Sequence, residues 1–126
     1  MIRIDLPYPH LALWPNGRAH RSEVARQVKK HRAWAHDATM ADPGWRAFAP
    51  TLQGVALGTV PVHLIVSRKA AGVYPDRDNT VAAAKSLLDG IAQRLGINDK
   101  LFAAPTVEFI APITGRFLIQ IGSAPR

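Results

Sequence analysis

The sequence predicts an α/β (α+β) fold: one small domain spanning residues 1–126, with a mixed sheet of about four strands packed against two main helices. Three observations predict it. Four short segments are β-branched and alternate with period two, at 2–6, 60–66, 106–110 and 116–121. Two longer segments repeat their apolar residues at helical spacing, at 22–40 and 79–95. The chain has 126 residues, of which 48% are hydrophobic, enough for one core and too few for two.

The elements follow in order. Ile2, Ile4 and Leu6 alternate with Arg3 and Asp5, the pattern of a half-buried strand. Pro7 and Pro9 end it, because proline cannot donate to a strand ladder. Residues 10–21 read as a loop turning at Asn16-Gly17, two residues that tolerate positive φ. In that loop Arg18, His20 and Arg21 stand beside Trp14. They can grip phosphate or stack on a base; a basic loop over an aromatic lid explains them equally well.

Ser22 can cap a helix running to about Met40. Val24, Val28, His31, Ala35 and Ala38 form its inner face, and Arg26, Lys29, Lys30 and Ala33 its outer one. His31 therefore reads as a core histidine. Asp42-Pro43-Gly44 and Pro50 mark a loop over 41–56 with room for one helical turn. Val60, Val62, Leu64 and Val66 share a parity and predict a strand that ends at Ser67-Arg68-Lys69.

Asn79 or Asp78 can cap the second long helix. Val81, Ala84, Leu88, Ile91 and Leu95 make its apolar stripe, and Gly96 stops it. At 100° per residue Asp78, Lys85 and Asp89 project together, roughly 110–120° from the stripe. Asn98-Asp99 then turn the chain back. Two closing strands, 106–110 and 116–121, read as a hairpin through Pro112-Ile113-Thr114-Gly115, and residues 123–126 as a frayed tail. Leu101-Phe102 suits either the core or a subunit contact.

Composition narrows the function. The chain has no cysteine, which excludes disulfides and thiolate metal sites. No apolar run reaches the roughly 18 residues of a membrane span, and no signal-peptide layout opens the chain. That predicts an intracellular protein with no membrane partner. The net charge of +7 and a sequence pI near 10.6 point toward a polyanion. Acidic residues gather between Asp76 and Asp99 within this basic chain, as a site rather than a solvated face would. Asp76 and Asp78 flank a helix start, and Asp99 follows the helix end. Three such carboxylates suit magnesium, which takes oxygen ligands and keeps several waters. A lysine nearby could offset charge developing on a phosphate. Asp-x-Asp also caps helices, and it serves phosphatases and nucleotide-sugar enzymes.

Asp76-x-Asp78-Asn79, a helix carrying Lys85 and Asp89, then Gly96 and Asn98-Asp99, together resemble the RusA-type Holliday-junction resolvases. Leu6-Pro7-Tyr8-Pro9, and Pro15-Asn16-x-Arg18-x-His20 before a basic helix, look like the phage-borne members. The likeness follows element order over nearly the whole chain and is specific from Asp76 to Asp99. It implies a RusA-like fold and a homodimeric, magnesium-dependent endodeoxyribonuclease. Such an enzyme resolves four-way junctions by paired symmetric nicks, in DNA recombination and repair. It implies Asp76, Asp78 and Asp99 as metal-binding catalytic acids and Lys85 as the catalytic lysine. Asn79, Asp89 and Asn98 would support them.

Mg²⁺ is the implied cofactor, with Mn²⁺ as its substitute, and branched DNA the implied partner. The compartment would be the cytoplasm of a bacterial or phage-infected cell, at the nucleoid. Arg18, His20, Arg21, Arg26, Lys29, Lys30, Arg68 and Lys69 would contact the DNA backbone. Two departures stand out. Lys85 lies seven residues after Asp78 rather than four, a shift of about one turn or 5.4 Å, and Asn98 replaces a second acid. The rival readings are a non-catalytic DNA-binding module of the same fold and another metal-dependent phosphoester hydrolase.

Overall fold

The computed structural model describes residues 1–122. It contains a four-stranded mixed sheet with helices on one face, the architecture expected from the sequence. The strands are β1 (Ile2–Pro7), β2 (Val62–Ser67), β3 (Thr106–Ile110) and β4 (Arg116–Ile121), in spatial order β1-β4-β2-β3. The helices are α1 (Arg21–Ala41), a short α2 (Trp45–Phe48), α3 (Arg77–Ala83) and α4 (Lys85–Leu95). Short 3₁₀ turns lie at Leu11–Leu13, Ala49–Leu52 and Asp99–Leu101. No described helix is long and apolar enough to cross a membrane.

β3 and β4 do not form the expected hairpin. β2 lies between them, pairing parallel with β3 and antiparallel with β4. β4 in turn pairs antiparallel with β1, Ile4 opposite Ile119. The physical reason lies in the crossover: a parallel β2–β3 pair needs a long connection, and α3 with α4 supplies it. β4, whose Phe117, Ile119 and Ile121 are all buried, then fills an interior position. Two strands adjacent in sequence cannot report which third strand will separate them.

The alternating residues of β1, β2 and β4 point to one face and meet Ala35, Leu87, Leu88, Ile91 and Leu95 of the helices in a single core. Burying each such aliphatic side chain contributes about 1.5–3 kcal/mol, so this stripe dominates local propensity. Leu101 and Phe102 pack half-buried against the same core. α1 and α4 form the principal helix contact. They meet at Gly90, where a Cβ would lie 2.3 Å from the Arg32 carbonyl oxygen. Only glycine allows that approach.

Several local expectations are corrected. His20, not Ser22, caps α1, its Nδ1 accepting the Ser22 amide at 3.1 Å. The positive φ of the 10–21 loop falls on Arg18 (54°), not on Asn16 or Gly17. Gly17 is needed for closeness instead: a Cβ there would lie 2.2 Å from the Leu11 carbonyl oxygen. The buried line of α1 is Gln27, His31, Ala35 and Thr39, with Val24, Val28 and Ala38 only half-buried. Within 41–56 there are two short helical pieces rather than one. Asp76, not Asp78 or Asn79, caps the second helical region, its Oδ1 accepting the Asn79 amide at 3.0 Å. That region is broken at Ala84. The ladder ends with the Ala84 amide on Thr80 and resumes with the Leu88 amide on Ala84, so α4 has its own uncapped N-terminus. Gly96 ends α4 in the left-handed region (φ 70°), as expected. The expected frayed tail at 123–126 lies outside the described residues.

Candidate functional site

The break at Ala84 makes Lys85 the first residue of α4. Its ammonium donates to Asp89 Oδ1 at 2.8 Å, one helical turn along. It also donates to Asp99 Oδ2 at 2.9 Å, from the turn that follows Gly96. Asn98 shapes that turn: its Oδ1 accepts the Lys100 amide and caps the 3₁₀ helix begun by Asp99. These three charges thus come from two elements and are held by two ion pairs. The hydrogen bond to Asp89, then that to Asp99, raises the Lys85 pKa above its ordinary value. The same lysine holds the Asp99 carboxyl below its usual range. Both shifts favour the charged forms of Lys85 and Asp99, and the ammonium keeps one of its three donors free.

Three depressions converge on this cluster. One, of about 290 Å³, lies between Trp14-Pro15, Val24 and Val28 on one side and Lys85, Ser86 and Asp89 on the other. A second, of about 200 Å³, joins Asp89 and Asp99 to Arg32, Gln93 and Asn98. A third, of about 170 Å³, runs from Lys85 and Asp99 to Phe102 and Pro105. The second shares Arg32 and Gln93 with a trough of about 750 Å³ along α1, lined also by Lys29, His36 and Asp37. The cluster therefore adjoins a trough whose charged lining is Lys29 and Arg32 beside Asp37.

Of the carboxylates singled out in the sequence, the structure brings Asp89 and Asp99 together through Lys85. Asp76 and Asp78 lie at the start of α3 and share no hydrogen bond or ion pair with that group among the described residues. Asp76 is engaged as its cap, while the exposed Asp78 carboxylate has no hydrogen-bond or ion-pair partner among the described residues. Asn79 gives its amide to Asp76. Among the described residues no three His, Asp or Glu side chains are grouped as a bound metal ion requires. The cation held between Asp89 and Asp99 is the Lys85 ammonium.

The basic residues are dispersed. Lys29 lines the trough, but Lys30, 100° further round the helix, lies over the Trp34 ring at 5.0 Å. Arg26 pairs with Glu23. Arg68 lies 4.0 Å from the Tyr74 ring centre and donates to the Gly72 carbonyl. Arg18, His20, Arg21 and Lys69 are exposed.

Sequence reasoning missed Arg32, Gln93, Ser86 and the wall made by Trp14. Arg32 falls between the inner and outer faces of α1 and carried no signal of its own. Trp14 is fixed by stacking on Tyr8 (centroids 5.3 Å apart) and by its Nε1 donating to the Pro9 carbonyl at 3.2 Å. The same loop is tied to α1 by the buried His31. Its Nε2 accepts the His10 amide at 3.1 Å while Nδ1 meets the Gln27 carbonyl at 2.7 Å. That pairing needs the neutral ring with its proton on Nδ1, and burial lowers the His31 pKa accordingly.

Comparison with known proteins yields one informative similarity. The chain is 31% identical over 123 residues to a protein of Xylella fastidiosa strain Temecula1 described only as uncharacterized, covering 96% of this chain and 76% of that one. No protein-family model matches the chain, and no solved structure matches it.

Proposed function

The chain belongs to the same family as the Xylella fastidiosa protein, and from its own groove we propose that it is a structure-selective endodeoxyribonuclease that nicks four-way DNA junctions. The observation that carries this reading is the Lys85 ammonium, pinned by Asp89 and Asp99, the two acids that also line the depression sharing Arg32 and Gln93 with the α1 trough. A phosphodiester lying in the trough would place an oxygen near the free ammonium donor. There the charge is pre-positioned for the extra negative charge of a pentavalent phosphorus. Asp89 and Asp99 orient the lysine and keep it protonated. By the resemblance, the exposed, unpartnered Asp78 carboxylate is one of the acids that would hold the metal. Arg32 and Lys29 would neutralise the incoming backbone.

The resemblance implies magnesium, which would supply a more acidic bound water. Asp76, Asp78 and Asp99 are the residues the resemblance would have hold it, and among the described residues they form no ready-made three-ligand group. Cutting matching strands of a two-fold junction calls for paired sites, and hence a homodimer. The test is a nicking assay on four-way, flap and linear duplex DNA, with and without magnesium. Paired nicks in the junction alone support the reading; no nick under any divalent condition refutes it.

One observation favours a second reading. Asp76 is fully explained as a helix cap, as it would be in a non-catalytic DNA-binding module. Junction binding without nicking would establish that reading instead.

A further inference from the structure

We propose that the depression between Trp14 and Ser86 is a pocket for one unpaired nucleobase, taken from the strand whose phosphate lies at Lys85. The inference rests on the endonuclease reading and deepens it. The depression is about 290 Å³, with largely apolar walls that include Trp14, Pro15, Val24 and Val28. Its polar groups come from the first two turns of α4: Lys85, Ser86 and Asp89. Ser86 is only 5% exposed, and its Oγ has no hydrogen-bond partner among the described residues. A buried hydroxyl without a partner is unfavourable by about 1–3 kcal/mol. The site therefore calls for a ligand that brings a polar edge past apolar walls.

A phosphate fails that requirement, since the walls would strip its water without replacing it. A flat heterocycle meets it: its faces suit the apolar walls, and its edge can pair with a hydroxyl and a carboxylate. The wall is rigid, because Trp14 is held by both Tyr8 and Pro9, so little ordering opposes binding. In duplex DNA every base is stacked and paired, and extracting one costs a few kcal/mol; at a branch point that cost is least. The pocket thus gives a physical route to selectivity for opened DNA, in which availability of a base, rather than its identity, is sensed.

The test is an abasic scan. Full-length protein without divalent metal is titrated with four-way junctions in which each branch-point nucleotide is made abasic in turn. Wild-type protein should bind one of these about tenfold more weakly than the intact junction. Val24→Phe fills the pocket from a position outside the trough, so its affinity for the intact junction should fall to the abasic level and lose further sensitivity to the scan. Ser86→Ala, which removes only the unpartnered hydroxyl, should melt no lower than wild type and show a reduced abasic penalty. Equal wild-type affinity for every abasic junction overturns the pocket, as does an undiminished penalty in Val24→Phe. Either result overturns the pocket alone, because nicking of intact junctions tests the endonuclease separately. Failure of wild-type protein to bind any intact junction overturns both.

Discussion

Gly90 is where the α1–α4 contact, and with it the groove, is most sensitive to a single atom. Alanine there places a Cβ 2.3 Å from the Arg32 carbonyl oxygen and 3.0 Å from the Ala35 Cβ. The obstacle is backbone, so no side-chain rotation relieves it. The helices must part by at least about 0.7 Å before the nearer contact reaches 3.0 Å. Overpacking of this kind costs about 1–3 kcal/mol, and contact with helix backbone puts it at the upper end. Alanine recovers about 1 kcal/mol through its better helix propensity. The net expectation is a loss of about 2 kcal/mol. For a chain of this size that is a fall in Tm of roughly 6–12 °C. Circular-dichroism melts and urea titrations of wild-type and Gly90→Ala protein measure it. Gly90→Ser should fall at least as far, since it adds an oxygen to the same clash. A Gly90→Ala protein as stable as wild type would refute the close crossing, and with it the shape of the groove between Arg32 and Asp89.

Other outcomes follow from the same geometry. Lys85→Met should lower the nicking rate by about 100-fold or more, as loss of a pre-positioned charge does. Because its ion pairs are exposed, the melting temperature should barely move, and junction affinity measured alongside should stay within about threefold. Asp76→Ala should reduce stability by about 1 kcal/mol through loss of the α3 cap, whereas Asp78→Asn should abolish nicking without changing the melt. Arg32→Ala should flatten the dependence of log affinity on log salt by about one phosphate contact. The pH dependence has a definite sign. His31 is held neutral in the fold with its pKa lowered, so the unfolded chain takes up the proton first as pH falls. Its contribution is complete above about pH 6.5 and is lost as pH falls below that value. Urea stability should be lower at pH 5.5 than at pH 7.5, and His31→Gln should show a smaller difference.

Much of the fold was legible because burial follows period. Ile2-Ile4-Leu6 and Val62-Leu64-Val66 are buried as their alternation required, and Gly96 stops α4 in the conformation only glycine adopts easily. What was hidden depends on partners distant in sequence. β4 inserts between β1 and β2 through pairings that neither neighbour encodes locally. The break at Ala84 has no residue signature, since no proline or glycine stands between Arg77 and Asp89. In the site, helical spacing placed Lys85 and Asp89 on one face, and the structure pairs them. It could not show that Asp99 would take the other side of the same ammonium. Nor could it show that Asp76 would be engaged by the Asn79 amide. Arg32 and Trp14 became visible only when α1 and the 10–15 loop were brought against α4.

The position of β4 also governs how the chain can reach its native state. β1 is made first, yet its partner comes from residues 116–121. On a ribosome, an apolar ribbon of Ile2, Ile4 and Leu6 must therefore wait without its neighbour until residues 116–121 have emerged. Pairings that span almost the full sequence are slow to form, because so much chain entropy is surrendered before any contact is gained. Refolding from urea should therefore be rate-limited by docking of the first strand. Removing residues 116–122 should leave a collapsed species that binds hydrophobic dyes and lacks a sharp melting transition.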